Sequence, residues 1–578
     1  MIFHSEKTRI SKEWQYLGLV LLVGVLVMLP IAFLGIPKGN DLNQHFQFAQ
    51  AYYDSIMNGN WFPSWSSREN FGYGSIGIRF YPPLAYYILA FGRIISGSWY
   101  DAAWLAFMFW AILASFGVYY WSRWWLSPSE SAIAAIAYAI IPYHLHQLYL
   151  SFVYADYAGA AILPFCFAFL TRLLKREKWS DILGFAISYA ALILTHLPTT
   201  ITGSLSLGLY TLFLLNKGNW MRQCTKAVLG LGAGLAASSY YWVRMVSEMG
   251  WLVHNEEHYR SGHYYYANRF FPMYFHGLPD EYRGNFVLSD LLVASCLLFF
   301  LTAIIYIVYR RNCGVEADRR TEVFRWVLPL GLIAFFMTTS ISSPIWVLLT
   351  PMQKIQFPMR WMSIVAMCGA IVTGFAAHYL IKGDFLKRRL WIYASSGFVA
   401  LFLFLNLVYT WHPSAFIPIA RSDFEFVMGD LPEQQNYIFW WSIWSQPDAL
   451  KIKDKIVAEN RTATVTNWKP EQRDFTIEAG NAGYARVATF WYPRWQAEVN
   501  GQIVAVSRDE NGAILIPVPA ERSGVRLVFE ETSAFKIAAM ISTITWLLLL
   551  GGIAVGFAHF RLRLSRPRPQ FAEEEFSV

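Results

Sequence analysis

Two carboxylates stand at the borders of long apolar stretches, where charge needs a reason. Asp41 follows the first apolar run in GIPKGNDLNQHFQFAQ, and His45 lies one helical turn later on the same face. An acid at a water–lipid boundary can take the proton of an attacking hydroxyl as a glycosyl phosphate bond breaks. After Gly39-Asn40, Asp41 equally fits a helix N-cap. With Asp41, His45 suits a bound cation or a hydrogen-bonded pair, but two ligands are not a metal site, and a structural histidine fits as well. Asp156 interrupts an uncharged stretch from Gln147 to Leu170. A carboxylate costs about 2.5–3.5 kcal/mol at mid-membrane and less at a helix end. Function and helix capping both account for it. Arg79 precedes Tyr81-Pro82-Pro83, where paired prolines start a helix. Its guanidinium suits either lipid-headgroup snorkelling or bidentate phosphate binding. Arg360, in QKIQFPMRW with Lys354 behind it, is the second candidate for an anionic ligand. His196, before Leu197-Pro198, fits packing or site lining equally. Loop 248–286 holds His254, His258, His263 and His276 among Glu256, Glu257 and many tyrosines. Its spacings match no zinc motif, and tyrosine-rich loops also suit carbohydrate contacts and membrane interfaces.

These residues hang on a chain of 578 residues that is 55% hydrophobic and only 15% charged. Soluble domains run near a quarter charged, and uncharged runs of about 18 or more residues are the membrane-helix pattern. The +8 net charge gathers in short loops beside spans, which is the mark of topology selection rather than nucleic-acid binding. The five cysteines show no metal-ligand spacing, so neither a disulfide framework nor a zinc site is expected. The basic N-terminus leads into a run from Tyr16 to Ile36 without an obvious cleavage site, and a retained anchor is expected.

Apolar segments fall near 16–35, 81–97, 101–121, 131–150, 156–174, 180–196, 199–215, 226–247, 287–309, 324–340, 358–381, 389–410 and 534–559. Basic loops at 171–178, 216–226, 309–320 and 381–389, with the tail at 559–568, are expected in the cytoplasm together with the N-terminus. Parity then requires that 81–97 not cross. An interfacial helix is expected there, with about twelve true crossings. Asp41, Asp156, His196, loop 248–286 and Arg360 all fall on the outer side.

Residues 411–532 lose the long apolar runs and alternate instead at 461–468, 472–479, 485–491, 495–499, 502–506, 513–518 and 524–530. Asn500-Gly501 is a type I′ hairpin signal. A small extracytoplasmic β-sandwich is expected, acting as a lid or spacer or in substrate binding.

A first span, an outward loop opening with an acid, a downstream Pro-Pro-Leu and a second acid after further helices resemble the GT-C glycosyltransferases. These multispan enzymes take sugars from polyprenyl-phosphate carriers. THLPT, FPMRW and FWYPRWQAEVNG resemble the bacterial membrane family labelled 6-pyruvoyl-tetrahydropterin-synthase related, with its YfhO-like relatives; none of these residues suggests pterin chemistry. The resemblance implies that Asp41 is the catalytic base or orients the acceptor, and that Asp156 is the second acid. The family's lysine before Pro-Pro is here Tyr81, so Arg79 or Arg360 is implied as the donor-phosphate ligand. His45, Tyr81, His196 and His258 are the expected substrate contacts, with no metal ligand.

The expected fold is a polytopic α-helical membrane protein, GT-C-like, with a small C-terminal extracytoplasmic β-sandwich. The expected domains are a membrane module at 1–410 with outward loops 36–80 and 248–286, the β-rich domain at 411–532, and a last span with cytoplasmic tail at 533–578. The expected activity is inverting transfer of a sugar from a polyprenyl-phosphate-linked donor to a glycan, lipid or protein acceptor, in the cytoplasmic membrane with both termini inside. No cofactor is required by the sequence, and a divalent cation stays open. The competing class is a non-enzymatic lipid-linked saccharide carrier or envelope assembly factor; inverted repeats would favour a transporter, and the sequence shows none.

Overall fold

The computed structural model describes residues 2–39, 41–253, 265–273, 289–297, 321–382, 418–430 and 440–565, with five positions between 300 and 307. Among the described residues, six helices are long and apolar enough to cross a membrane: Glu13–Leu34, Trp99–Ser122, Tyr154–Arg176, Leu197–Leu214, Pro358–Ala377 and Ser533–Gly556. The expected segment 389–410 lies outside the described residues, as do the basic loop 309–320 and the end of the tail.

The chain read as interfacial folds as the helix Leu84–Ser96. Its 13 residues rise about 20 Å, short of the ~30 Å hydrocarbon core. The expected span 131–150 is not one helix. Pro128–Ile140 starts on a Ser127–Glu130 capping box and stops at Pro142, which begins the short turn Pro142–Leu145. A π-helical turn, His146–Leu150, follows and delivers the chain to Tyr154–Arg176. Likewise 226–247 divides at Ser238 into Trp220–Ala237 and Ser239–Glu248.

The Trp99–Ser122 helix is the hub. It packs on Tyr154–Arg176, Pro128–Ile140, Leu84–Ser96 and the first helix. Its buried face carries Ala102, Ala103, Ala106, Ala111 and Ala114, small side chains that let helix backbones approach closely. At its far end Trp121, Trp125, Tyr210 and Trp326 pack ring on ring.

The C-terminal domain is two antiparallel sheets. Its strands are β1 (Ile456–Ala458), β2 (Ala463–Lys469), β3 (Gln472–Ile477), β4 (Gly483–Phe490), β5 (Trp495–Val499), β6 (Gln502–Val504), β7 (Ser507–Arg508), β8 (Ala513–Val518) and β9 (Ser523–Phe529). One sheet runs β1-β4-β8-β7 and the other β2-β3-β9-β5-β6. Strands β3, β5 and β9 bury alternate residues, as a sheet with one covered face must. Asn500 and Gly501 both take positive φ, as the hairpin signal required, and Val499 pairs with Gln502. Strand β4 departs from alternation and is buried over six consecutive residues, because its second face receives the first loop. There Phe490 N–H donates to the Tyr73 carbonyl, and the Arg486 guanidinium donates to the Tyr73 hydroxyl at 2.7 Å.

Candidate active site

Glycine contacts bring the first loop to the second acid. A Cβ on Gly39 would lie 2.3 Å from the Phe152 Cβ and 2.6 Å from the Ser151 carbonyl carbon. Only a glycine lets the Asp41 turn rest on the turn that opens Tyr154–Arg176. A Cβ on Gly159 would lie 3.1 Å from the His196 Cβ and 3.2 Å from the Thr199 side chain, so Tyr154–Arg176 also closes tightly on Leu197–Leu214. The returning end of the loop is fixed by Leu84 N–H, which donates to the Leu194 carbonyl at 2.7 Å. That bond ties the start of Leu84–Ser96 to the turn just before His196.

Asp156 lies in the first turn of its helix and is 4% exposed, so its charge must be met from within. Thr199 Oγ1 donates to Asp156 Oδ1 at 2.9 Å, and His196 Nδ1 lies 3.3 Å from the same oxygen. Arg360 Nε stands 3.7 Å from Asp156 Oδ2. Arg360 is itself held by the Ile355 carbonyl, which accepts from Nη1 at 2.6 Å, and by stacking over Phe357. His196 occupies the N-cap of Leu197–Leu214, one turn before Thr199.

Asp41 occupies the N-cap of Leu42–Met57, yet its side chain makes no capping hydrogen bond. Its carboxyl is therefore left for another task. Burial pushes it up to about 6; Arg360 acts against that rise and Asp156 adds to it. Arg360, ion-paired to Asp156, thus acts on both acids through its charge. Next along, His45 Nδ1 lies 2.7 Å from the Tyr86 hydroxyl, while His45 Nε2 is buried without a hydrogen-bond partner among the described residues. Burial, and then His196, pull the His45 imidazole down to about 3, so it stays neutral. Tyr81 meets the His45 ring edge-on at 6.0 Å, and burial, with Asp41 adding to it, raises its hydroxyl.

The structure therefore gathers Asp41, His45, Tyr81, Asp156, His196 and Arg360. Thr199 joins them and was missed, although its position three residues after an N-cap was a legible signal. Tyr86 was missed too, because nothing distinguishes it from the other tyrosines of an aromatic helix. His258 lies outside the described residues. Among those described, no three His, Cys, Asp or Glu side chains cluster as a metal site would.

Arg79 is a correction. Its side chain is 0% exposed, with Nε donating to Glu248 Oε2 at 2.8 Å and Nη1 to Glu531 Oε1 at 2.6 Å. A guanidinium already carrying two carboxylates and stacked over Tyr492 and Phe529 has no fork left for a phosphate. It is instead the centre of the joint between helices and sandwich. Tyr492 and Arg494 from the sandwich also reach Glu248, and Glu471 accepts from Ser64 N–H in the first loop. Burial would raise the Glu531 carboxyl, but Arg79 and Arg244 hold it down to about 2.

No curated protein matches this chain in sequence. Among solved structures it is similar to the Archaeoglobus fulgidus oligosaccharyltransferase in its apo form, at 14% identity and a TM-score of 0.40, over 72% of this chain and 56% of that one. The chain thus spans about half the length of that relative. It is also similar to the mycobacterial arabinofuranosyltransferase AftD (15% identity, TM-score 0.43, 69% of this chain and 27% of that one). ArnT from Cupriavidus metallidurans bound to undecaprenyl phosphate is a third (13% identity, TM-score 0.37, 74% of each chain). Residues 78–414 match the model of the family described as 6-pyruvoyl-tetrahydropterin synthase related domain, membrane protein, and the chain belongs to that family.

Proposed function

We propose that the chain is an integral membrane glycosyltransferase of the GT-C type. It transfers a sugar from a polyprenyl-phosphate-linked donor to an extracytoplasmic acceptor with inversion. The observation that supports this reading is one cation for two acids: Arg360 stands 3.7 Å from Asp156, and its charge also acts on Asp41, far away in sequence, where three helices begin. An acceptor hydroxyl hydrogen-bonded to the ionised Asp41 attacks C1 of the donor sugar. The C1–O bond to the lipid phosphate breaks, the proton passes to Asp41, and the phosphate leaves against Arg360. Asp156 acts through Arg360, held by Thr199 and His196 so that the guanidinium is oriented before the donor arrives. His45 and Tyr81 offer hydroxyl contacts, and His196 lines the floor. His258 completes the substrate contacts of this reading.

In this reading the site faces the outside of the cytoplasmic membrane and both termini lie inside. The module at 1–410 carries the chemistry, the domain at 411–532 covers it, and 533–578 forms the last span and tail. The test is an in vitro transfer assay with short-chain polyprenyl-phosphate sugars. Asp41→Asn should abolish transfer while donor binding persists. Full turnover by that variant would remove Asp41 from the mechanism; donor bound but never transferred by the wild type would favour a carrier.

A further inference from the structure

The end of the bundle away from the two acids carries a second site. Arg172 lies 16 positions after Asp156 on one helix, which places it about 24 Å along the axis. There a cavity of about 270 Å³ opens among Glu13, Phe116, Tyr120, Arg123, Arg172 and Arg176. Three membrane-length helices meet at its mouth: Glu13 starts one, Arg123 caps the end of Trp99–Ser122, and Arg172 and Arg176 lie at the end of Tyr154–Arg176. The mouth is cationic and the wall is aromatic. That wall, Phe116 and Tyr120, lies one to two turns inside the span.

The arginines are built in rather than scattered. Arg123 is fixed by Glu13 at 2.7 Å and by the Leu126 carbonyl at 2.5 Å. Arg172 stacks over Tyr120 at 4.9 Å. Its Nε, 3.5 Å from Asp181, is buried and makes no hydrogen bond among the described residues. Arg176 is exposed at the rim. Of the three guanidiniums, Arg123 is engaged by Glu13 and Arg172 is faced by Asp181, which leaves Arg176 as the excess positive charge. The cavity thus presents a net positive rim at the ends of membrane-length helices and an aromatic slot one to two turns inside them.

We infer that this cavity binds the headgroup of an anionic glycerophospholipid, with the phosphodiester at Arg172 and Arg176 and the proximal acyl chain along Phe116 and Tyr120. A lipid, rather than a soluble phosphate, is indicated because the aromatic wall lies within membrane-length helices. Basic pockets between spans are where anionic headgroups gain about 1 kcal/mol per cation, or roughly fivefold per arginine. The inference stands apart from the transferase reading.

The test uses the full chain in nanodiscs with phosphatidylglycerol or phosphatidylcholine carrying a photoactivatable group near the head of the acyl chain. Phosphatidylglycerol should label residues 116–124 or 165–176 about 5- to 25-fold more than phosphatidylcholine, as one or both arginines contribute. R172Q with R176Q should bring that labelling to the phosphatidylcholine level, while R172K with R176K keeps most of it. If the glutamine pair fails to fold, R176Q alone, at an exposed position, should lower labelling several-fold. Equal labelling by both lipids, or no change in the glutamine variants, would overturn the inference. Displacement by millimolar inorganic phosphate would overturn it too, by assigning the cavity to a soluble anion.

Discussion

Asp41→Asn should make the protein more stable and inactive at once, and the size of the gain follows from the site. Burial lifts the Asp41 carboxyl from 3.8 to about 6. A shift of about two pH units corresponds to about 3 kcal/mol between protonation states. Part of the residue remains open to solvent, so about 2–3 kcal/mol is the expected range. The folded chain holds the proton more tightly than the unfolded one. The contribution to stability is therefore fully present below about pH 4 and is lost as pH rises through about 6. At pH 8 the wild type bears the whole cost of an ionised buried carboxylate, and asparagine removes it. At pH 4 the two proteins should melt together. Thermal unfolding in detergent, followed by tryptophan fluorescence, reads the difference as a gain of a few degrees at pH 8 that vanishes at pH 4. A variant that melts lower than wild type at pH 8 would mean that the carboxylate supports the fold, and the argument for an acid held for chemistry would fail.

Three further outcomes follow from the same geometry. Arg360→Gln removes the charge that draws Asp41 downward, so the acid limb of transfer activity should move above pH 6 and activity should fall about tenfold per pH unit below it; an unmoved limb would separate Arg360 from Asp41. Gly39→Ala sets a methyl against Phe152 and Ser151, which should push the two acids apart and cut transfer by at least about tenfold with little loss of expression, since a misplacement of about 1 Å costs up to 10²-fold. Wild-type activity in that variant would show that the turn relaxes without moving Asp41. Arg79→Met leaves Glu248 and Glu531 short of a buried partner and should cost about 3–5 kcal/mol at the joint, read as protease cleavage in 441–531 under conditions where the wild type is intact.

What the sequence made legible was local. Asp156 stood out because nothing else in its stretch is charged, and Arg360 because it opens an apolar run. Strand alternation at 472–479 and the turn at Asn500-Gly501 depend only on neighbours, and both are found where the pattern set them. Arg79 was misread for the opposite reason. Its partners Glu248 and Glu531 lie 169 and 452 positions away, and a side chain beside prolines at a membrane exit looks the same whether it faces phosphate or protein. The apolar run at 131–150 is broken at Pro142, whose lack of an N–H ends the helix and makes room for the π-helical turn before Asp156. The pairing of Asp41 with Asp156 rests on Gly39 and Gly159, and a glycine's neighbours are invisible until the chain is folded.

The joint around Arg79 also governs how this architecture can be rebuilt. Arg79 joins Glu248 to Glu531 and Ser64 joins Glu471 to Glu531, while Arg244 and Arg494 add a second arginine to Glu531 and Glu248, so changing Arg79 or Ser64 disturbs two carboxylates at once. A foreign sandwich grafted onto these helices would arrive without its half of the lattice, however well its strands were packed. Transplanting Glu471, Tyr492, Arg494 and Glu531 together is the smallest graft that would let the exchanged domain seat.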